Sequence, residues 1–269
     1  MISLDWKERM LHDCDDFFER KLPKGDYDFD IIYNAYPGRH DNKIPRDVVV
    51  FVAQTLASKM MKNHKDYLPF CEYIWNRKGL NGKIVFSCVI SKFLKKDYLY
   101  YFEYTKKYLF TLTDLGEINL LIDKIFYPIF KKNPTIHIDT LLTWIREANE
   151  KISQQTIKLI LKIGKNDSVF LKKFMTKLEG KWLGANPDFV KVNGFFLKNL
   201  AKINYESYLQ FYKNYKNSRE PIFVEILTAG LTGYEDFIYE IYENWSKSGN
   251  ARLKKAALTG FKYLNRKKN

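Results

Sequence analysis

The sequence predicts an all-α fold, an α-α superhelix (solenoid) of about six helical pairs preceded by N-terminal helices. Apolar residues recur at helical spacing almost everywhere after about residue 46, whereas the alternation typical of β-strands is scarce. Short polar residues and glycines separate the helical segments. The second helices of the pairs begin near residues 80, 117, 151, 188, 220 and 251, and a repeat of 31 to 37 residues is typical of an α-solenoid.

The first 63 residues precede the repeats. A helix is expected near residues 3 to 21, an irregular segment rich in Pro, Gly and Asp near 22 to 45, and a helix near 46 to 62. We expect residues 1 to 63 to cap the solenoid and residues 64 to 269 to form one continuous domain of repeats. The tetratricopeptide signature is absent from the sequence, whereas the segment from Gly249 to Leu264 resembles the second helix of a HEAT repeat. The predicted repeats are therefore HEAT-like.

Helical pairs account for the rest of the chain. The expected pairs are 65 to 77 with 80 to 94, 97 to 113 with 117 to 131, 137 to 148 with 151 to 163, 167 to 178 with 188 to 202, 205 to 216 with 220 to 231, and 235 to 247 with 251 to 265. Three short polar residues are expected to cap helices by accepting bonds from free backbone N–H groups: Asp167, Asn186 and Asn204. Three glycines are expected to end helices: Gly164, Gly180 and Gly249.

Composition excludes several classes of protein. With 46% hydrophobic and 16% aromatic residues, the chain has enough apolar surface to fold, which argues against intrinsic disorder. Polar residues interrupt every apolar stretch well before the length of about 18 residues that a membrane span needs. The N-terminus, with acidic and basic residues side by side, does not resemble a signal peptide. We expect no membrane partner.

Cysteines and histidines show no pattern of a metal or cofactor site. The three cysteines are an odd number without metal-like spacing, which is typical of a reduced, cytosolic protein. If the protein binds DNA, we expect it to associate with the bacterial nucleoid. The four histidines are scattered, and no phosphate loop, nucleophile elbow or dinucleotide fingerprint is found. We therefore expect no small-molecule cofactor and no metal, and a monomer.

The positive charge is concentrated in the second half of the chain. The formal net charge is +14, although residues 1 to 50 carry 8 basic and 11 acidic side chains. Between residues 151 and 205 there are 11 lysines against three acidic residues. Such a concentration indicates a polyanion partner, most often nucleic acid. The alternative is a lysine-rich solvated surface, common where coding is AT-rich.

Helical spacing arranges these charges in three stripes. On the helix near 151 to 163, Ile152, Leu159 and Ile163 share the core face. The opposite face carries the first stripe, Lys151, Gln154, Lys158, Lys162 and, just beyond, Lys165. The next second helix repeats the pattern with Phe189, Val192, Phe196 and Leu200 toward the core and Lys191, Phe195, Lys198 and Lys202 opposite. The last helix carries Arg252, Lys255, Lys262 and Arg266 in one row. Three such stripes predict contacts with a phosphate backbone.

Four sequence blocks resemble the DNA alkylation repair family of HEAT-like solenoids. They are Glu72-Tyr-Ile-Trp75, Asn119-Leu-Leu-Ile-Asp123, Trp144-Ile-Arg-Glu-Ala-Asn149 leading into Gln154, and Gly194-Phe-Phe-Leu-Lys-Asn-Leu-Ala-Lys-Ile-Asn204. The resemblance runs from about residue 67 to 231 and leaves 1 to 45 and 235 to 269 largely outside. It implies a curved solenoid whose concave basic groove holds double-stranded DNA, and alkylpurine DNA glycosylase activity.

The resemblance also implies roles for four residues. Asp123 stands at the family's catalytic Asp, Asn119 and Phe195 stand where two Trp residues pack near the deoxyribose, and Gln154 stands at a backbone-contacting Arg. A carboxylate near the sugar stabilises the oxocarbenium-like cation that forms when the N-glycosidic bond breaks. N3- and N7-alkylated purines are cationic and leave readily. Asn119 and Gln154 depart from the family pattern, and Gln lacks the charge and fork of guanidinium.

Three functions remain open on the sequence. The first is DNA binding with alkylpurine release through Asp123, and the second is non-catalytic binding of damaged, bent or branched DNA. The third is a protein-interaction scaffold, which an acidic or apolar groove would favour. Asp123 has an alternative role as a solvated carboxylate paired with a lysine, and the tryptophans are expected mainly to pack: Trp75, Trp144, Trp182 and Trp245.

Overall fold

The computed structural model describes residues 5–19 and 44–268, and all regular structure in these ranges is helical. The predicted all-α fold is confirmed. The predicted irregular segment near 22 to 45 lies almost entirely outside the described residues. Within the described ranges no helix combines the length and apolar character that crossing a membrane requires.

The chain divides into two compact units, Met1–Pro128 and Ile129–Asn269. The predicted boundary between residues 63 and 64 stays a prediction. The helices of the first unit are α1 (Trp6–Phe18), α2 (Arg46–Met60), α3 (Leu68–Arg77), α4 (Gly79–Phe93), α5 (Tyr98–Thr111) and α6 (Leu115–Leu121), which continues into a π-helical turn (Ile122–Phe126).

The division between the two units falls within α7 (Tyr127–Lys132). The helices of the second unit follow one another in the order of the predicted pairs. After a 3₁₀ turn (Pro134–His137) they are α8 (Ile138–Glu147), α9 (Glu150–Gly164), α10 (Ser168–Glu179), α11 (Pro187–Ile203), α12 (Tyr205–Tyr215), α13 (Pro221–Gly230), α14 (Asp236–Ser246) and α15 (Ala251–Lys268).

The three predicted N-caps form as expected. The side chains of Asp167, Asn186 and Asn204 accept bonds of 2.9, 2.8 and 3.0 Å from backbone N–H groups in the first turns of α10, α11 and α12. Each bond satisfies a donor that has no partner within its helix. Among the predicted stops, Gly164 is the last residue of α9 and Gly180 follows α10 directly.

The second helices of the pairs pack against one another in order. In the second unit α9 contacts α11, α11 contacts α13, and α13 contacts α15. In the first unit α4 packs against α2 on one side and against α6 with its π-helical turn on the other. These rows of neighbouring helices are the packing expected of a helical repeat, in which each pair buries its apolar face on the next.

The tryptophans Trp75, Trp144, Trp182 and Trp245 are all buried. Trp182 is fully enclosed, where its indole N–H donates to Asn193 Oδ1 at 2.9 Å and its ring stacks on Phe211 at 5.4 Å between centroids. The Trp245 indole donates to the Ser218 carbonyl at 3.1 Å. These rings therefore belong to the core, and the surface chemistry of the second unit depends on other residues.

Candidate nucleic-acid interface

One open face of α9 carries the first lysine stripe. Ten of the fifteen residues of α9 are buried, including Ile152, Leu159 and Ile163 as predicted. The remaining five are Glu150, Lys151, Gln154, Lys158 and Lys162, and the exposed Lys165 follows the helix. Because neighbouring helices enclose α9 on its other sides, its contact with solvent is this narrow basic strip.

The second stripe lies on α11, the next helix of the row. Phe189, Phe196 and Leu200 are buried, as predicted. The exposed side carries Lys191, Lys198 and Lys202, with the half-buried Phe195 among them. Helical spacing predicts Val192 in the core, but it is only half-buried and lines a groove, whereas the neighbouring Asn193 is buried and accepts from the Trp182 indole.

A glycine holds α11 close to α13. A Cβ at Gly194 would lie 2.6 Å from Ala229 Cβ and 2.7 Å from the Ala229 carbonyl carbon, distances that real contacts do not reach. Only a residue without a side chain permits this approach. The contact fixes α11 against α13 at Gly194, the residue before Phe195, and so positions the lysine stripe on α11.

A groove of about 310 Å³ in the second unit brings three of the predicted site residues together. Gln154 and Phe195 both line it. Its apolar wall includes Phe189 and Val192, and its polar rim includes Lys191. The Gln154 side-chain amide donates to Glu150 Oε1 at 2.9 Å, which orients it along the rim. The groove thus combines apolar surface, a side-chain amide, a cation and the carboxylates of Glu150 and Asp188.

Arg146 is a groove residue that the sequence reasoning missed. It lies near the end of α8, lines the same groove as Gln154, and places its guanidinium carbon 6.0 Å from the centre of the Phe189 ring. Arg146 lies inside the block Trp144-Ile-Arg-Glu-Ala-Asn149, and this position is the sequence signal that could have identified it as a site residue. Arg146 supplies this groove with the planar, charged fork that Gln154 lacks.

Lys191 and Arg252 of the predicted stripes pair with acids of the protein. Lys191 Nζ lies 3.2 Å from Asp188 Oδ1, and both side chains are largely exposed. Arg252 donates two bonds to Glu225, of 2.6 and 2.7 Å, and these bonds raise the pKa of Arg252. Other basic residues of α15 are exposed: Lys255, Lys262 and Arg266.

Asp123 belongs to the first unit, on the π-helical turn. Ile118, Ile122 and Ile125 are buried, whereas Asp123 is exposed and lines a cleft of about 370 Å³ together with the half-buried Asn119. The other lining residues are Ile44, Arg46, Leu80, Asn81, Ile84, Gly116, Leu120 and Lys124. A single π turn within an α-helix is frequent at functional sites. The cleft gives a carboxylate access to a ligand.

Metal ligands do not cluster in the described parts of the chain: no group of three or more His, Cys, Asp or Glu side chains could hold an ion there. Cys14, Cys71 and Cys88 form no disulfide bond in the described parts of the chain. Burial raises the pKa of Cys71 to about 12, so that this thiol stays protonated at neutral pH.

Comparisons with protein-family models, with curated proteins and with solved structures find no match for this chain, and its resemblance to the DNA alkylation repair family stays a prediction.

Proposed function

We propose that the protein binds double-stranded DNA through the open faces of α9 and α11. The observation that carries the proposal is that two helices in direct contact each expose a lysine stripe on the side opposite a buried core face. Duplex DNA carries one negative charge per about 1.7 Å of its axis, and each neutralised phosphate releases counterions. Rows of lysines on adjacent, packed helices suit such a regular array of charge.

Several stripe lysines carry charges that the protein itself does not neutralise. Some lysines outside the stripes engage acids of the protein, as Lys177 does with Asp139 at 2.7 Å and Lys247 with Glu243 at 3.2 Å. Among the residues that the structure describes, no acidic side chain lies within 4.0 Å of the amines of three stripe lysines: Lys158, Lys165 and Lys198. Their charge remains available to an anionic partner.

Salt titration with a charge-reversed variant tests this function. Because each neutralised phosphate contributes about −0.9 to the slope of log affinity against log salt, the wild type should show a steep slope for a labelled duplex. Lys158→Glu with Lys198→Glu should weaken binding by more than about tenfold and flatten the slope. The matched control reverses Lys172 and Lys173, two exposed lysines of α10, and should bind nearly as well.

Wild-type affinity that is indifferent to salt would contradict the proposal. So would a loss of binding in the α10 control as large as in the stripe variant, because the placement of the charge would then be irrelevant.

Alkylpurine release at Asp123 is a second candidate function. We propose it because an exposed carboxylate lies in a cleft on a π turn, beside Asn119. Such a carboxylate can stabilise the cationic sugar and orient the attacking water, and a cationic alkylpurine needs little help to leave. Asn119 offers no aromatic face to the developing charge, so we expect slow release.

A base-release assay on methylated duplex tests the second function. Asp123→Asn should reduce release by about a hundredfold, the size typical of removing one group that stabilises transition-state charge. Asp47→Asn removes an exposed carboxylate elsewhere in the same unit and should leave release unchanged. If the wild type binds the duplex but releases no purine above buffer, the protein is a non-catalytic DNA binder.

A further inference from the structure

The charge at one repeated position of the second helices changes sign at α13. On α9, α11 and α13 the residue five places after the N-cap is Gln154, Lys191 and Glu225, respectively. These residues occupy equivalent positions on three helices that pack side by side. The stripe helices present an amide and a cation there, whereas α13 presents a carboxylate.

Basic residues do not compensate for this carboxylate on α13 itself. The sequence of the helix, Pro-Ile-Phe-Val-Glu-Ile-Leu-Thr-Ala-Gly, has Glu225 as its sole charged residue. The next basic residue of the row comes from α15, which packs on the far side of α13 from α11. A phosphate backbone continuing from α11 toward α15 would therefore meet no cation supplied by α13.

The nearest cation of α15 is already engaged. Arg252 Nε and Nη2 donate to the two carboxylate oxygens of Glu225 at 2.6 and 2.7 Å, a bidentate pair of charge-assisted bonds. The Glu225 side chain is about one-quarter exposed and that of Arg252 about three-fifths, 25% and 62%. The partly enclosed carboxylate thus holds the more exposed guanidinium and compensates its charge.

We propose that Glu225 ends the phosphate-binding surface at α11 and so limits the length of duplex that the protein contacts. This inference rests on the proposed DNA binding. It assigns Arg252, which the sequence pattern places among the DNA-contacting residues, to Glu225 instead. Glu225 is here a specificity-determining residue, since it restricts the contacted DNA rather than binding it.

The test uses Glu225→Gln, which keeps an oxygen acceptor for Arg252 and removes only the charge. The salt slope for a long duplex should become steeper by about 0.9, one further neutralised phosphate. Affinity should also keep rising with duplex length beyond the point at which the wild type no longer gains. The control Glu243→Gln removes an equal charge on α14 that pairs with Lys247 just after the helix, and its slope should equal that of the wild type.

Arg252→Gln separates the two partners. In the wild-type background it should leave the slope unchanged, because Arg252 contacts no phosphate there. Combined with Glu225→Gln it should abolish the added slope. Urea unfolding of each variant checks that the fold is retained.

Two results would overturn the inference. One is a Glu225→Gln slope equal to that of Glu243→Gln, which would leave the ion pair a structural link between α13 and α15. The other is a slope lowered by about 0.9 in Arg252→Gln alone, which would show a phosphate contact despite Glu225. A wild type without any salt slope would instead refute the proposed DNA binding, and this inference with it.

Discussion

Phe195 combines two properties that seldom coincide on an exposed helix face. It is half-buried in the groove with Gln154, and it lies between Lys191 and Lys198 on the open side of α11. Burial alone would suit a packing role, whereas lysine neighbours suit a ring that meets a base or a sugar. An aromatic face binds a nucleobase by stacking, which contributes about 1–3 kcal/mol per base.

Substitution of Phe195 distinguishes stacking from packing. Phe195→Ala should lower affinity for a duplex with one unpaired nucleotide by about tenfold, within the range of one lost stacking contact, and affect a fully paired duplex less. Phe195→Leu restores apolar volume without a π face. If stacking operates, Leu and Ala weaken binding equally. Recovery of binding by Leu would show that the ring only packs, and anisotropy titrations with the two duplexes give the answer.

Residues that act across helices escape prediction from one sequence. The lysine stripes and Phe195 follow from spacing along a single helix, so their shared faces could be predicted. Arg146 enters the groove from α8, and Glu225 reaches Arg252 from the preceding second helix, 27 positions away in sequence. No periodicity within one helix encodes such a pair. It depends on which helices pack and at what separation.

At the scale of the helices, sequence signals predict the ends better than the interior geometry. Polar caps such as Asp167 and Asn186 act through bonds to their own first turns, so their effect is local. The π-helical turn at Ile122–Phe126 has no comparable local signal, and the apolar spacing of the segment predicts one regular helix. The turn lies beside the cleft, where Asp123 is exposed.

The close approach of α11 and α13 gives an element-scale prediction. Gly194→Ala adds a methyl group 2.6 Å from Ala229 Cβ, so the helices must separate. We expect a net loss of about 1–3 kcal/mol in the free energy of unfolding, although alanine has the higher helix propensity. Urea denaturation measures the loss. Gly184→Ala is the control, because a Cβ there meets nothing within 4 Å.

A second substitution checks the cause of that destabilisation. Ala229→Gly in the Gly194→Ala background removes one clashing atom but leaves the Ala229 carbonyl oxygen 2.8 Å from the new methyl group. The rescue should therefore be partial. If Gly194→Ala unfolds at the same urea concentration as the wild type, the helices are not held at this distance by Gly194.

At the scale of the whole molecule, the placement of charge carries more information than its sum. The net charge of +14 is compatible with a nucleic-acid partner and with a lysine-rich solvated surface alike. Both interpretations expose lysines, but only the first requires them on the same sides of neighbouring helices. The stripes of α9 and α11 satisfy that requirement, while the lysines of α10 lie on a different helix whose Lys177 pairs with Asp139.

Footprinting of the lysines across the chain tests this difference in placement. Under single-hit acylation, bound duplex should shield Lys158, Lys162 and Lys198, because phosphates displace reagent from amines that they contact. Lys172 and Lys173 of α10 should react as they do in the free protein, and mass spectrometry of the digest quantifies both groups. Equal shielding of all lysines would indicate a diffuse attraction to any polyanion, and no shielding would favour a protein partner.

Shielding of Lys124, which lines the cleft with Asp123, would be expected only if the first unit also contacts DNA, as purine release at Asp123 requires.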